Sequence, residues 1–288
     1  MSTNLRQAET KIKVVGILAD KNLEQITDKN GNAGVRGSVS IKVDDLNTIR
    51  FKVYVGQKTS KGVENKAWAG IQTVLNEYKG ISEVGIDNAD KVVVSSGTFD
   101  TYKNQNGADI TTYSSNYFSR VNGNFVPERT FQTECFIKAK SWEVDSEGNE
   151  TGRLKIKAIV PTFNGINILD LIAPKETDEN PNFANVADDL FEIGSTYKID
   201  GLIVNSRVEK TIKAALGTLK GETEYKNELI ITGSSEAYND EKAYDAEAIK
   251  LAIQEYEDNQ AKRQSSKEKV PFESKPSAEK MGRAGLSF

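Results

Sequence analysis

The 288 residues predict a mainly β protein: two tandem five-stranded barrels with short helices, then a C-terminal helix and a flexible tail. Three observations predict it. Residues 38–43 and 49–55 alternate apolar and polar side chains with period two, as half-buried antiparallel strands require. Turn-forming clusters, Asp28-Lys29-Asn30-Gly31 and Asn104-Gln105-Asn106-Gly107 among them, stand where strands must reverse. The order of elements in the first part of the chain then returns after roughly 120 residues, a period long enough for each copy to be a domain.

In chain order, 11–18 reads as a first strand and 20–34 as a loop. In the strand pair that follows, Val39, Ile41 and Val43 share a face with Ile49, Phe51, Val53 and Val55. Asn65 is a candidate N-cap for a helix over 66–78, where Ala67, Ile71, Val74, Leu75 and Tyr78 recur at helical spacing before Gly80. Trp68 lies off that stripe and reads as rim packing. Strands over 91–102 and 108–121 close the first unit. The second unit repeats the order with strands at 131–142, 152–160 and 166–172, a helix over 180–190, and strands at 197–208 and 228–232. Ile249, Ala252, Ile253 and Tyr256 then form a narrow stripe on a helix that should dock on the second barrel. The expected units are 1–123, 124–239, a helix over 240–262 and a tail over 263–288.

Composition narrows the chemistry. The sequence has no histidine, which removes the commonest general base and most zinc sites. No phosphate-binding loop, dinucleotide fingerprint or calcium loop is present. Asp44-Asp45 and Asp188-Asp189 read as turn and helix-end polarity, because neighbours along a strand or helix point apart. A non-enzymatic protein without cofactor or metal is expected, with a metal-dependent nuclease as the weaker alternative. The single cysteine, Cys135, sits in an apolar run and reads as a buried thiol. The opening residues lack an apolar signal core and no apolar run matches a bilayer, so a cytoplasmic protein with no membrane partner is expected. Net charge is −4, yet 1–123 holds 16 Lys and Arg against 13 Asp and Glu, while 124–239 holds 13 against 19.

The candidate site follows from the outward faces. Lys42, Arg50, Lys52 and Tyr54 point away from the first core, and Tyr113, Tyr117 and Arg120 crowd its last strand. On the second barrel, Lys138, Lys140 and Trp142 alternate on one strand and Arg153, Lys155 and Lys157 on the next. Like charges on neighbouring strands repel, a cost that a bound polyanion relieves. Cations that neutralise phosphates beside rings that stack on bases suit an unpaired nucleic-acid strand.

Strand, loop, strand, strand, helix, strand, strand is the order of the oligonucleotide/oligosaccharide-binding barrel, the OB-fold. The residues that carry the likeness are the Arg50-Phe51-Lys52-Val53-Tyr54 strand, the coil-bridged first pair and the helix at 66–79. Two such bodies, a polar linker and an apolar tip ending on Phe288 resemble the single-stranded-DNA-binding proteins encoded by tailed bacteriophages of Gram-positive hosts. That resemblance implies unpaired DNA as partner, a role in replication or recombination, and the host cytoplasm as location. It further implies that Leu286 and Phe288 engage replication or recombination proteins. Bacterial single-stranded-DNA-binding proteins, which share this plan of body, linker and tip, end in Pro-Phe after acidic residues; here Arg283 precedes the terminal Phe in place of acidic residues, and proline is absent. The alternative is a structural or assembly protein using the barrels for protein contacts.

Overall fold

The computed structural model describes residues 5–27, 31–104, 106–145, 147–163, 165–212, 220–239 and 241–268, with backbone alone at 207–212, 220–224 and 263–268. The chain is mainly β, and its strands close into two OB barrels. In the first, β1 (Thr10–Thr27), β2 (Ala33–Lys42) and β3 (Thr48–Gly56) form an antiparallel meander. The helices α1 (Trp68–Glu77) and α2 (Ile81–Val84) follow, then β4 (Lys91–Lys103) and β5 (Asp109–Ser114). β5 joins β3 in parallel at Phe51–Tyr113 and Lys52–Ser114, and β4 returns antiparallel to β1, which closes the barrel. The short β6 (Ser119–Arg120) pairs back onto the start of β4.

The second barrel repeats this closure. β7 (Glu128–Val144), β8 (Glu150–Thr162) and β9 (Gly165–Ala173) form the meander, and α3 (Phe183–Leu190) precedes β10 (Thr196–Ile212) and β11 (Lys220–Ser234). β11 pairs in parallel with β9, and β10 pairs antiparallel with β7. In each copy the helix lies between the third and fourth strands, as the repeated sequence order predicts.

Long strands make the tandem arrangement one object. The first half of β1 pairs with β4 on one edge and, over Thr10–Val15, with Glu128–Thr133 of β7 on the other. Both barrels thereby cover an edge that would otherwise expose unpaired backbone groups. Phe99 of the first core meets Phe131 edge to face at 5.7 Å, so the two cores touch as well. Burying an aromatic or branched aliphatic side chain contributes about 1.5–3 kcal/mol, and Ile12, Leu18, Ile41, Phe51, Ile137, Ile156 and Leu169 are all fully buried.

Several elements run longer than their sequence patterns suggest. β1 continues through residues expected as a loop, because its polar second half is paired along β2 as a hairpin. Within that hairpin Gly37 (φ +141°) passes so close to Asn22 that a Cβ would stand 1.9 Å from its carbonyl oxygen. The stretch expected as one strand over 108–121 is broken, since the Ser115 hydroxyl accepts the Tyr117 N–H and turns the chain between β5 and β6. Asn65 does not cap α1 directly; its Oδ1 accepts the Ala67 N–H at 3.0 Å and turns the chain into the helix. Trp68 packs against the core rim. The C-terminal helix α4 (Ala246–Glu268) packs on β9 with Ile249 and Ala252 buried. No helix among the described residues is long and apolar enough to cross a membrane.

Candidate nucleic-acid interface

On β3 the core face and the outer face separate cleanly: Ile49, Phe51, Val53 and Val55 are buried, while Arg50, Lys52 and Tyr54 are exposed. Alternate side chains on a strand stand about 6.6 Å apart, so the three form an evenly spaced row. Arg50 has no acidic partner among the described residues. Lys52 has none either; its ammonium lies 5.1 Å from the centre of the Tyr102 ring on β4. Tyr54 is 63 % exposed. The outer face of the second and third strands is where OB barrels bind oligonucleotides. Lys42, at the far end of β2, is held by Asp45 at 3.0 Å across the turn.

The row borders a groove of 410 Å³ lined by Gly37, Ser38, Arg50, Lys52, Thr111, Thr112, Tyr113, Asn205 and Asn227. Its far wall comes from the other barrel. β3 and β5 pair at two positions only, and the β10–β11 hairpin contacts both the turn that leads into β3 and the β5 strand. Asn47 of the β2–β3 turn bridges to Ser206, and its Oδ1 accepts the Asn205 N–H at 3.2 Å. Asn227 accepts from the Tyr113 hydroxyl at 3.3 Å and donates to the Thr111 carbonyl at 3.2 Å. At the other end of the row, Tyr54 borders a cleft of 580 Å³ that the 58–65 loop closes with Lys58, Thr59 and Ser60.

Other sequence candidates are placed differently. Tyr113 is a core residue, 2 % exposed and packed between Phe51 and Phe99, so its ring offers no stacking face. Burial pushes its phenol pKa up. Its inward phase follows from pairing opposite Phe51. Arg120 is bound to Asp90 at 2.8 Å and lies 4.4 Å over the Tyr78 ring, so it fastens β6 to the end of α1. Tyr117 is exposed but lies outside the groove lining.

The second barrel's cationic strip does not exist as a free surface. A β-bulge between Ile137 and Ala139 inserts Lys138, and the register slips by one. Ala139 and Ser141 therefore take the outer phase opposite Lys157 and Lys155. Lys140 and Trp142 turn to the inner phase opposite Ile156 and Leu154. Trp142 packs against the core, and Lys140 binds the Asp188 carboxylate at 2.8 Å and its backbone carbonyl at 2.5 Å, near the C-terminus of α3. Lys138, the bulge residue, is half-buried.

The outer cations have acidic partners that local sequence did not reveal. Arg153 pairs with Glu143 at 3.1 Å and Glu228 at 2.8 Å, and Lys155 pairs with Glu143 at 3.3 Å. Lys157 pairs with Asp170 at 3.1 Å and reaches Asp109 of the first barrel at 3.2 Å. Burial opposes the charge on Lys157, but these two carboxylates outweigh it and raise its pKa. Leu286 and Phe288 lie outside the described residues. Cys135 is fully buried, which pushes its thiol up to about 12 and keeps it protonated. Among the described residues, no cluster of His, Cys, Asp and Glu could hold a metal ion.

Tyr102 and Tyr225 are exposed aromatics that the sequence reading did not single out. Tyr102 was legible, because it continues the outward phase of β4. Tyr225 was not, because nothing local shows that its hairpin reaches the other barrel.

Fold and surface together define a tandem OB-fold protein with an open cationic and aromatic row on one barrel. The chain belongs to the YorF family, whose model matches residues 9–269. No curated protein sequence matches it. Among solved structures it is similar to the wild-type single-stranded DNA binding protein from Thermus aquaticus, with TM-score 0.48 and 7% identity, over 82% of this chain and 96% of that one. A deletion mutant of that protein aligns with TM-score 0.46 and 9% identity, over 81% of this chain and 97% of the other. What this surface binds has to be read from its own residues.

Proposed function

We propose that the chain binds unpaired DNA with little regard to sequence, through the outer face of the first barrel. The observation that carries this reading is the Arg50–Lys52–Tyr54 row, whose two cations have no acidic partner among the described residues and which borders a groove of 410 Å³. Arg50 and Lys52 neutralise successive phosphates, and Tyr54 stacks on a base, which contributes about 1–3 kcal/mol and tolerates any base. No step needs a cofactor, and the role proposed is binding without catalysis. The finer role, protecting unpaired DNA during bacteriophage replication or recombination in the host cytoplasm, belongs to the same proposal and rests on the likeness in chain layout.

A fluorescence titration with poly-dT at two salt concentrations tests it. Affinity should fall by about 0.7 decades per decade of salt for each phosphate contacted. The triple change of Arg50, Lys52 and Tyr54 to Ala should abolish most of the binding while leaving the circular dichroism spectrum unchanged. Absent or salt-independent binding of the unaltered chain overturns the reading. Size-exclusion with and without oligo-dT separates it from the assembly-protein alternative, which predicts no shift on adding DNA.

A further inference from the structure

The two barrels share a fold but not a surface, and this asymmetry bears on how a strand is held. On β3 of the first barrel the outward cations lack acidic partners among the described residues. On β8, the second strand of the other copy and the counterpart of β2, the outward cations Arg153, Lys155 and Lys157 are each bound to a carboxylate. One of those carboxylates, Asp109, belongs to the first barrel. Binding DNA on β8 would mean breaking those pairs, and the Lys157–Asp109 contact also helps hold the barrels together. What the second barrel does present to the groove is its β10–β11 hairpin.

The hairpin register runs without a shift from Asn205–Asn227 through Ser206–Lys226 to Arg207–Tyr225. Tyr225 therefore shares the face of Asn227, the face that contacts Thr111 and Tyr113, and stands one repeat, about 6.8 Å, further from the second core. It is 73 % exposed and has no partner among the described residues. Tyr225 is not itself part of the groove lining, but Asn227, two residues along on the same face, lines that groove together with Arg50 and Lys52. An exposed ring carried at the mouth of a cationic groove suits base stacking.

We propose that the second barrel does not bind nucleic acid on its β8 face and instead contributes Tyr225 to the strand held on the first barrel, so that one DNA segment is gripped by both copies. This rests on the unpaired-DNA reading above. The strand then lies between Arg50 and Lys52 on one side and the Tyr225 ring on the other, and the inter-barrel contacts of Asn47, Asn205 and Asn227 fix the width of the grip.

The test uses the full chain, dT oligomers and four single variants, each checked for an unchanged thermal midpoint. Tyr225→Ala should weaken binding about 5- to 150-fold, the equivalent of about 1–3 kcal/mol of lost stacking, and Tyr225→Phe should restore it. Lys52→Ala should lower the salt slope by about 0.7, whereas Lys155→Ala should leave slope and affinity unchanged. If Tyr225→Ala binds like the parent, or Lys155→Ala loses as much slope as Lys52→Ala, the shared grip is wrong while the unpaired-DNA reading stands. If the parent chain does not bind dT at all, both fall together.

Discussion

Tyr54 and Trp142 show how position on a strand divides two superficially similar aromatics. Tyr54 is outward on β3 and 63 % exposed, whereas Trp142 is packed against the second core. Tyr54→Ala should therefore weaken oligo-dT binding about 5- to 150-fold with little change in stability, read by titration and thermal melting. Trp142→Ala should do the reverse. It should cost up to about 3–5 kcal/mol of stability in a denaturant titration and leave affinity alone once the variant is folded. Gly37 is constrained differently. Its backbone lies at φ +141° with Asn22 against it, so Gly37→Ala should destabilise by at least about 1–3 kcal/mol through loosening of the β1–β2 hairpin. A denaturation midpoint equal to the parent's would contradict that geometry.

At the scale of elements, the bulge in β7 has the largest consequence. A single inserted residue, Lys138, transfers Lys140 and Trp142 from the solvent phase to the core phase, and with them the meaning of the strand. Lys140 then meets the Asp188 carbonyl near the end of α3, where a cation complements the partial negative charge of the helix terminus. Lys140→Ala should lower stability by about 1 kcal/mol and leave the salt slope of DNA binding untouched. A reduced slope would return Lys140 to the interface. β10 and β11 act through their length. A strand pair longer than a barrel wall must project, and this one reaches Asn47, Thr111 and Tyr113 of the first barrel.

For the whole molecule, the N-terminal segment acts as a staple. Arg6 binds the buried Glu134 at 2.6 Å, donates to the Lys242 carbonyl at 2.8 Å and lies 5.0 Å over the Tyr244 ring. Burial works against a charge on Glu134, but Arg6, the Glu9 N–H and the Tyr238 hydroxyl outweigh it and lower its pKa below 4.5. A lowered folded-state pKa gives stability that is complete above the unfolded value and is lost as pH falls through the folded one. Asp44, Glu128 and Glu143 have lowered values too, so they add with the same sign. Thermal midpoints should therefore fall as pH drops below about 4.5, and Glu134→Gln should shrink that fall. An unchanged acid profile in the variant would remove Glu134 from this account.

Local pattern was sufficient for the barrels. Alternation in 38–43 and 49–55, turn residues, and a repeated element order specified two OB units and placed Arg50, Lys52 and Tyr54 on an outer face. Those inferences use neighbours two to four residues apart, which the strand and helix periods fix in advance. Tertiary structure alone decided which cations stay unpaired, because Glu228 and Asp109 reach Arg153 and Lys157 from strands remote in sequence. It also decided that Tyr113 is core and that a hairpin of one copy walls the groove of the other. Electrostatic pairing and close approach depend on distance in space, and periodicity along the chain carries no record of it.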